Sequence, residues 1–244
     1  MTFAILPAVR LAAIAVLACL PAAASAAPRF VSPEFFAKTP RPFSDIFTKD
    51  AALKPGWMRE EPNPASSYEF VKGGLLLDAS AQNGGSDLWP FTNYNASLLL
   101  QPISPSLDWT VRTRIAFQVT NSYMGAGLVL TTQTTGFNSS SAFHRFEYGD
   151  NPQPGIEGFT NGAPDPNFIP FDGTLVYLEL QKSGTTYTYS YSTDDKTWTE
   201  VETVTDTTAY SYIGLISVRQ PYDQQYGVDS KPIFSYFKIK LDKT

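Results

Sequence analysis

Tyr187-Thr-Tyr-Ser-Tyr-Ser-Thr-Asp-Asp-Lys-Thr-Trp198 carries a strand period and a turn chemistry in one stretch. Tyr187, Tyr189 and Tyr191 alternate with Thr188, Ser190 and Ser192, the two-residue period of a pleated strand with an aromatic face and a hydroxyl face. Asp194-Asp195 ends it, because an Asp there accepts hydrogen bonds from backbone amides two residues on, and Trp198 returns on the next strand. The stretch reads as half of a β-hairpin. Its tyrosine row is expected to pack between sheets, with Asp194 closing the turn and Trp198 anchoring it.

The same alternation recurs outward from this hairpin. Val111, Thr113, Ile115, Phe117 and Val119 alternate with polar neighbours, as do Val176, Leu178 and Leu180, and Phe237, Ile239 and Leu241. These are half-buried strands of antiparallel sheets packed on one another. Gly127–Leu130 and Ile213–Ile216 are apolar on both faces and belong near sheet centres, where Gly125, Gly127 and Gly214 let a neighbour approach closely. Further strands are expected at Gly74–Ser80, Ala96–Ile103, Phe143–Gly149 and Ile156–Asn161. About ten strands without an internal repeat and without a helical period point to an all-β, two-sheet antiparallel sandwich of the jelly-roll type. The connections Gln82–Asn95, Gly149–Gly173 and Gln220–Lys231 read as long loops, where function concentrates.

Residues 1–26 read as a cleaved signal peptide: Arg10, an apolar run from Leu11 to Leu20, and Ala24-Ser25-Ala26 as the cleavage site. The run is too short to span a bilayer comfortably. Lipidation at Cys19 is the weaker alternative, since Leu17 suits that motif poorly. Residues 27–42 form a proline-rich extended lead-in, and 43–244 the domain. The expected localisation is secreted or periplasmic. Cys19 is the only cysteine, so the exported chain has neither disulfides nor thiol chemistry, and its length supports a core without them. The 18 basic residues, Arg10 among them, face 23 acidic ones, which argues against nucleic acid or anionic membrane as partner and favours an uncharged ligand. The oligomeric state stays open.

Trp57-Met-Arg-Glu60, Gly74-Leu-Leu-Leu77, Gly125-Ala-Gly-Leu128, the Tyr189–Trp198 hairpin, Ile213-Gly-Leu215 and Phe234-Ser-Tyr-Phe237 occur in the order of concanavalin A-like sandwich domains. From about Phe43 onward the chain resembles the C-terminal domain of family-43 β-xylosidases and its free-standing relatives. The resemblance implies a concanavalin A-like jelly roll and a link to plant or microbial glycans. It does not carry over xylosidase activity, because in those enzymes this domain is an accessory and no catalytic domain is expected ahead of residue 43. The Ser192–Trp198 turn also resembles a sialidase Asp-box, with Asp195 where glycine is usual; a single copy serves as a turn staple.

Glycoside hydrolysis needs two carboxyl groups across the scissile bond. The Glu-x-Asp-x-(x-)Glu strand of concanavalin A-like glucanases is missing, so the catalytic residues are unknown. Glu147, Asp150, Glu157 and Asp165 are the carboxylates that loops or strands would have to bring together. The single histidine, His144, excludes a multi-histidine metal site, and no Gly-x-Ser-x-Gly elbow accompanies it. Structural calcium has weak support in Asp150, Asn151, Asp165, Asn167 and Asp172, whose spacing matches no defined loop; no other cofactor is expected. Asn95-Ala-Ser97 and Asn138-Ser-Ser140 are sequons that matter only in a eukaryotic source.

Sugar rings present apolar C–H faces, so rings with a polar tip are suitable contacts. Trp89, Asn93 and Tyr94 offer such groups in one loop, and Tyr222, Gln224 and Gln225 in another. On the strand between, His144 shares a face with Tyr148, and Arg145 with Glu147; solvated ion pair and sugar-binding patch are equally good readings of the latter. The expected groove is flanked by the two loops with His144, Arg145, Glu147 and Tyr148 nearby. The function expected is an exported carbohydrate-binding or glycan-processing accessory domain for oligo- or polysaccharide. The alternatives are a glycoside hydrolase or polysaccharide lyase working from loops around the concave face, and a structural or adhesive surface module.

Overall fold

Period-two alternation organises the folded chain throughout. The structure, a computed structural model, describes residues 41–49, 51–90, 93–120, 123–150, 153–220 and 228–242, without the side chain of Asp150. The expected leader at 1–26 with Cys19, most of the lead-in, Asn151, Tyr222, Gln224 and Gln225 lie outside the described residues. The strands in chain order are β1 (Asp45–Ile46), β2 (Met58–Glu60), β3 (Ser67–Val71), β4 (Gly74–Asp78), β5 (Leu88–Trp89), β6 (Asn93–Tyr94), β7 (Ser97–Pro102), β8 (Trp109–Ala116) and β9 (Met124–Thr131). They continue as β10 (Phe143–Asp150), β11 (Pro154–Thr160), β12 (Ala163–Pro170), β13 (Leu175–Ser183), β14 (Thr186–Ser192), β15 (Thr199–Thr205), β16 (Tyr212–Arg219) and β17 (Ile233–Leu241).

Two antiparallel sheets result. The first runs β15-β14-β13-β8-β17-β4-β3, with β1 added on β17; the second runs β12-β11-β10-β9-β16-β7-β2. Chain neighbours are often not sheet neighbours: β8 lies between β13 and β17, and β9 between β10 and β16. That is the sandwich expected from the alternation. Its core is made by the inward residues of both sheets, among them Val111, Ile115, Leu128, Leu130, Phe146, Leu178, Leu180, Leu215 and Phe237. Tyr187 and Tyr189 are fully buried there, and Tyr189 stacks on Phe146 across the sheets with centroids 5.1 Å apart. Each such side chain, wholly removed from water, contributes about 1.5–3 kcal/mol.

Two central glycines are required by close approach. A Cβ on Gly127 would lie 2.0 Å from the Phe146 carbonyl oxygen, and one on Gly214 only 1.8 Å from that of Leu99. The Asp194 staple forms as read: its Oδ1 accepts from the amides of Lys196 at 2.9 Å and Thr197 at 2.8 Å. Asp195 takes a φ of 59°, the conformation for which glycine is the usual choice at this turn. Trp198 anchors the turn outside the core, with the Arg112 guanidinium 4.5 Å from its ring centroid.

Two of the expected loops carry strands. Gly149–Gly173 contains the antiparallel pair β11–β12, and Gln82–Asn95 the two-residue strands β5 and β6. β12 includes Pro164, Pro166 and Pro170, which lack an N–H, and it is placed at the margin of its sheet, where one side of a strand has no ladder to complete.

Candidate functional site

The central strands β9 and β16 of the second sheet are buried on both faces, and the outer face, turned away from the first sheet, holds a small core of its own. Leu98, Leu100, Val129, Phe143, Ile216 and Val218 pack there under Leu88. Leu88 comes from the β5–β6 hairpin, which two amide side chains hold. The Asn63 Nδ2 group donates to the carbonyls of Gln82 at 2.7 Å and Gly85 at 2.9 Å. Asn93 donates to the Gly84 carbonyl at 2.8 Å and accepts from the Asn95 amide at 2.8 Å. Paired backbone bonds between Ser86 and Arg219, at 2.6 and 2.7 Å, fasten the base of the hairpin to the end of β16.

Strand β10 sends alternate side chains to the two faces of this sheet. Outward, Arg145 donates from Nη1 to Asp87 Oδ1 at 2.7 Å and to the Leu88 carbonyl at 3.0 Å, and from Nη2 to Glu147 Oε1 at 3.2 Å. Its guanidinium lies 4.5 Å from the Phe159 ring and 5.8 Å from that of Trp89, which meets Phe159 edge-on. Glu157 on β11 stands directly opposite Glu147 in the ladder. Asp87, Arg145, Glu147 and Glu157 are all buried. Among the described residues the cluster is incompletely satisfied, since Arg145 Nε and Glu147 Oε2 find no hydrogen-bond partner there. Burial pushes the Glu147 carboxyl up to about 7, with the Arg145 attraction offsetting only part of the shift, and pushes Asp87 up for the same reason.

Inward, His144 and Tyr148 enter the sandwich core. The His144 ring stacks on Tyr187 with centroids 5.1 Å apart, and its Nε2 lies 2.8 Å from Asp206 Oδ2. Burial pushes the imidazole below its ordinary value despite Asp206, so the ring is neutral: Nε2–H donates to Asp206, and Nδ1 accepts from the Tyr189 hydroxyl. Tyr210 also donates to Asp206, at 2.7 Å. Burial alone would raise Asp206, but donors from Thr208, Tyr210 and His144 outweigh it and hold the carboxyl well below its ordinary range. Tyr148 donates to the Gly173 carbonyl at 2.7 Å.

Among the expected site residues, the structure therefore brings together Trp89, Arg145 and Glu147. His144 and Tyr148 are separated from them by the sheet itself, as period-two alternation demands, and do not line a common groove with them. Asn93 spends its amide on the hairpin backbone. Asn93 and Tyr94 together, with Glu60, Asn95, Thr135 and Phe137, line a depression of ≈ 450 Å³. Burial raises the Glu60 carboxyl there. Phe137 was missed in the sequence; it is half-buried and, like Tyr94, packs against the small outer core while lining the depression. Asp87 and Asp206 were missed as partners because each lies about 60 positions from the β10 residue it binds.

Of the residues named for calcium, the Asp150 side chain and Asn151 lie outside the described residues. Asp165 lies against Gly158 and Tyr189 at the β11–β12 margin, and no group of three or more His, Cys, Asp or Glu side chains able to hold a metal occurs among the described residues.

A family model described as "Protein of unknown function (DUF1349)" matches residues 64–226. No protein of curated function matches the sequence. Among solved structures the chain is similar to the GH43 protein BlXynB of Bacillus licheniformis, in a mutant form, at 14% identity and a TM-score of 0.63, covering 82% of this chain and 39% of that one. It thus spans well under half the length of the GH43 protein. It is also similar to a functionally unknown protein of Saccharomyces cerevisiae (17% identity, TM-score 0.57, 77% of this chain and 96% of that one). Lectin I-B4 of Griffonia simplicifolia gives a TM-score of 0.56 at 12% identity, over 82% of this chain and 100% of the lectin. These likenesses establish the concanavalin A-like sandwich fold.

Proposed function

We propose that this chain, which belongs to the DUF1349 family, is an exported carbohydrate-binding sandwich that holds a neutral oligo- or polysaccharide on the outer face of its seven-stranded sheet. The observation that carries the reading is the ≈ 450 Å³ depression beside the β5–β6 hairpin, where the rings of Tyr94 and Phe137 meet the amide of Asn95 and the carboxyl of Glu60. Rings offer flat apolar area to the C–H face of a sugar, and the amide and carboxyl offer hydrogen bonds to its hydroxyls. A lectin and a GH43 protein on the same fold support the substrate class by analogy. Secretion or periplasmic export rests on the leader read in residues 1–26.

The test is affinity electrophoresis of the purified protein against a panel of neutral polysaccharides, together with the double variant Tyr94→Ala/Phe137→Ala. At least one glycan should retard the protein, and the variant should bind it at least tenfold more weakly; equal retardation of both proteins would refute the assignment.

A second reading, glycoside hydrolysis, is favoured by one specific arrangement. Glu147 and Glu157 face each other across β10 and β11, and burial moves Glu147 toward the value suited to a general acid near neutrality. Reducing ends released from the retained glycan by the parent protein but not by Glu147→Gln would establish it.

A further inference from the structure

The outer face of the first sheet, on the opposite side of the molecule, has a composition that stability does not explain. Arg112 and Arg114 on β8 neighbour Lys238 and Lys240 on β17, and Lys238 stands directly opposite Arg112 in the ladder. Like charges facing each other across an antiparallel pair are destabilising. The fold diverts them instead of removing them. Arg112 turns to Glu179 and to the Trp198 ring, while the Lys238 ammonium sits 4.1 Å from the centroid of the Tyr236 ring. Arg114 donates to the Ser235 hydroxyl at 2.6 Å, and Lys240 pairs with Asp242 at 3.0 Å. Asp195 adds a further carboxylate near Tyr236. Neither Arg114 nor Lys238 has a carboxylate within salt-bridge distance among the described residues.

Arg112, Lys238 and Lys240 border a second depression of ≈ 450 Å³, lined also by Ser44, Thr110, Glu179, Gln181 and Ile239, with Arg114 next along β8 outside it. Its wall is of mixed character: cations, neutral hydrogen-bonding groups, and a tryptophan face beside it. We propose that this face is a second saccharide site, distinct from the depression at Tyr94, which takes an acidic polysaccharide through carboxylates bound by Arg112, Arg114, Lys238 and Lys240. Neighbouring cations on one strand are about 7 Å apart and the two strands about 5 Å, a grid suited to a chain with one charge per sugar or every second sugar. The overall charge of −5 disfavours any polyanion over most of the surface, so binding depends on this local cluster of cations, and the uncharged groups beside it favour a hydroxyl-rich acidic chain over a nucleic acid. Thr110 and Gln181 supply the uncharged contacts that sugar hydroxyls need.

Titration of the purified protein with polygalacturonate and with a neutral xylan, at 20 mM and 300 mM salt, tests the site. Polygalacturonate binding is expected at low salt, with at least a tenfold loss at high salt and at least a tenfold loss in Lys238→Glu/Lys240→Glu. Lys238→Ala, which keeps the strand and removes one charge, should lose several-fold. Tyr94→Ala/Phe137→Ala should bind polygalacturonate as the parent does, so that failure of the neutral-glycan site and failure of this one are read separately. Absence of polygalacturonate binding at low salt would overturn the proposal, as would unchanged affinity in the two lysine variants or a loss confined to the Tyr94/Phe137 variant.

Discussion

The two faces of strand β10 solve the same problem in opposite ways. Inward, His144 is a buried titratable group whose partners complete its hydrogen bonding: Asp206 takes its proton-bearing nitrogen, Tyr189 gives to the other, and Tyr210 shares the carboxylate. Outward, on the same strand, Arg145 and Glu147 are also buried, and among the described residues their Nε and Oε2 find no partners. A satisfied polar network stabilises and fixes a core, whereas an unsatisfied one is a cost that native chains retain where a group is used. The contrast separates the part of β10 that holds the sandwich together from the part with chemistry to spare.

Breaking the outer cluster should have the largest effect. Arg145→Met leaves Asp87, Glu147 and Glu157 buried without their cation, and a loss of about 3–5 kcal/mol is expected in urea denaturation. The triple variant Arg145→Met/Asp87→Asn/Glu147→Gln should recover most of it; failure to recover would mean that packing, not charge, dominates there.

The two faces should also respond to pH with opposite sign. Glu147 has a folded value of about 7 against an unfolded value near 4.5, so its contribution to stability is fully present below about 4.5 and is lost as pH rises through 7, up to about 3 kcal/mol. His144 and Asp206, both depressed in the fold, contribute stability above their unfolded values that is lost on acidification. Going from pH 5 to pH 8, Glu147→Gln should lose less stability than the parent, or gain where the His144 contribution dominates, and an unchanged pH dependence would remove Glu147 as the cause. The smallest effect is expected inside: His144→Phe keeps the stack on Tyr187 but strands the Asp206 carboxylate and the Tyr189 hydroxyl. It should cost about 1–3 kcal/mol and weaken the acid-side dependence.

Much of this architecture was legible in the sequence because alternation is local. The faces of β8, β13, β14 and β17 follow from period two, and so does the split of β10 into His144 with Tyr148 and Arg145 with Glu147. Gly127 and Gly214 announced close approach, and Asp194 its turn. What stayed hidden is non-local or too short to have a period. Two-residue strands such as β5 and β6 carry no alternation, and the prolines of β12 read as loop until its partner β11 supplies the ladder. The pairing of Arg145 with Asp87 depends on where the β5–β6 hairpin lands, which no window of sequence contains. Trp198 lies just before β15, and its outward direction depends on Arg112, 86 positions away.

The prolines of β12 also bear on how the protein behaves in a crowded solution. An open sheet margin is a template on which a stray strand can dock and from which fibrils can grow. With Pro164, Pro166 and Pro170 distributed along it, that margin offers an interrupted row of donors and gives an incoming strand no continuous ladder to extend. At the far margin of the same sheet, β2 is three residues long. Self-association by sheet extension is thus discouraged at both ends of the sheet proposed to bind glycan.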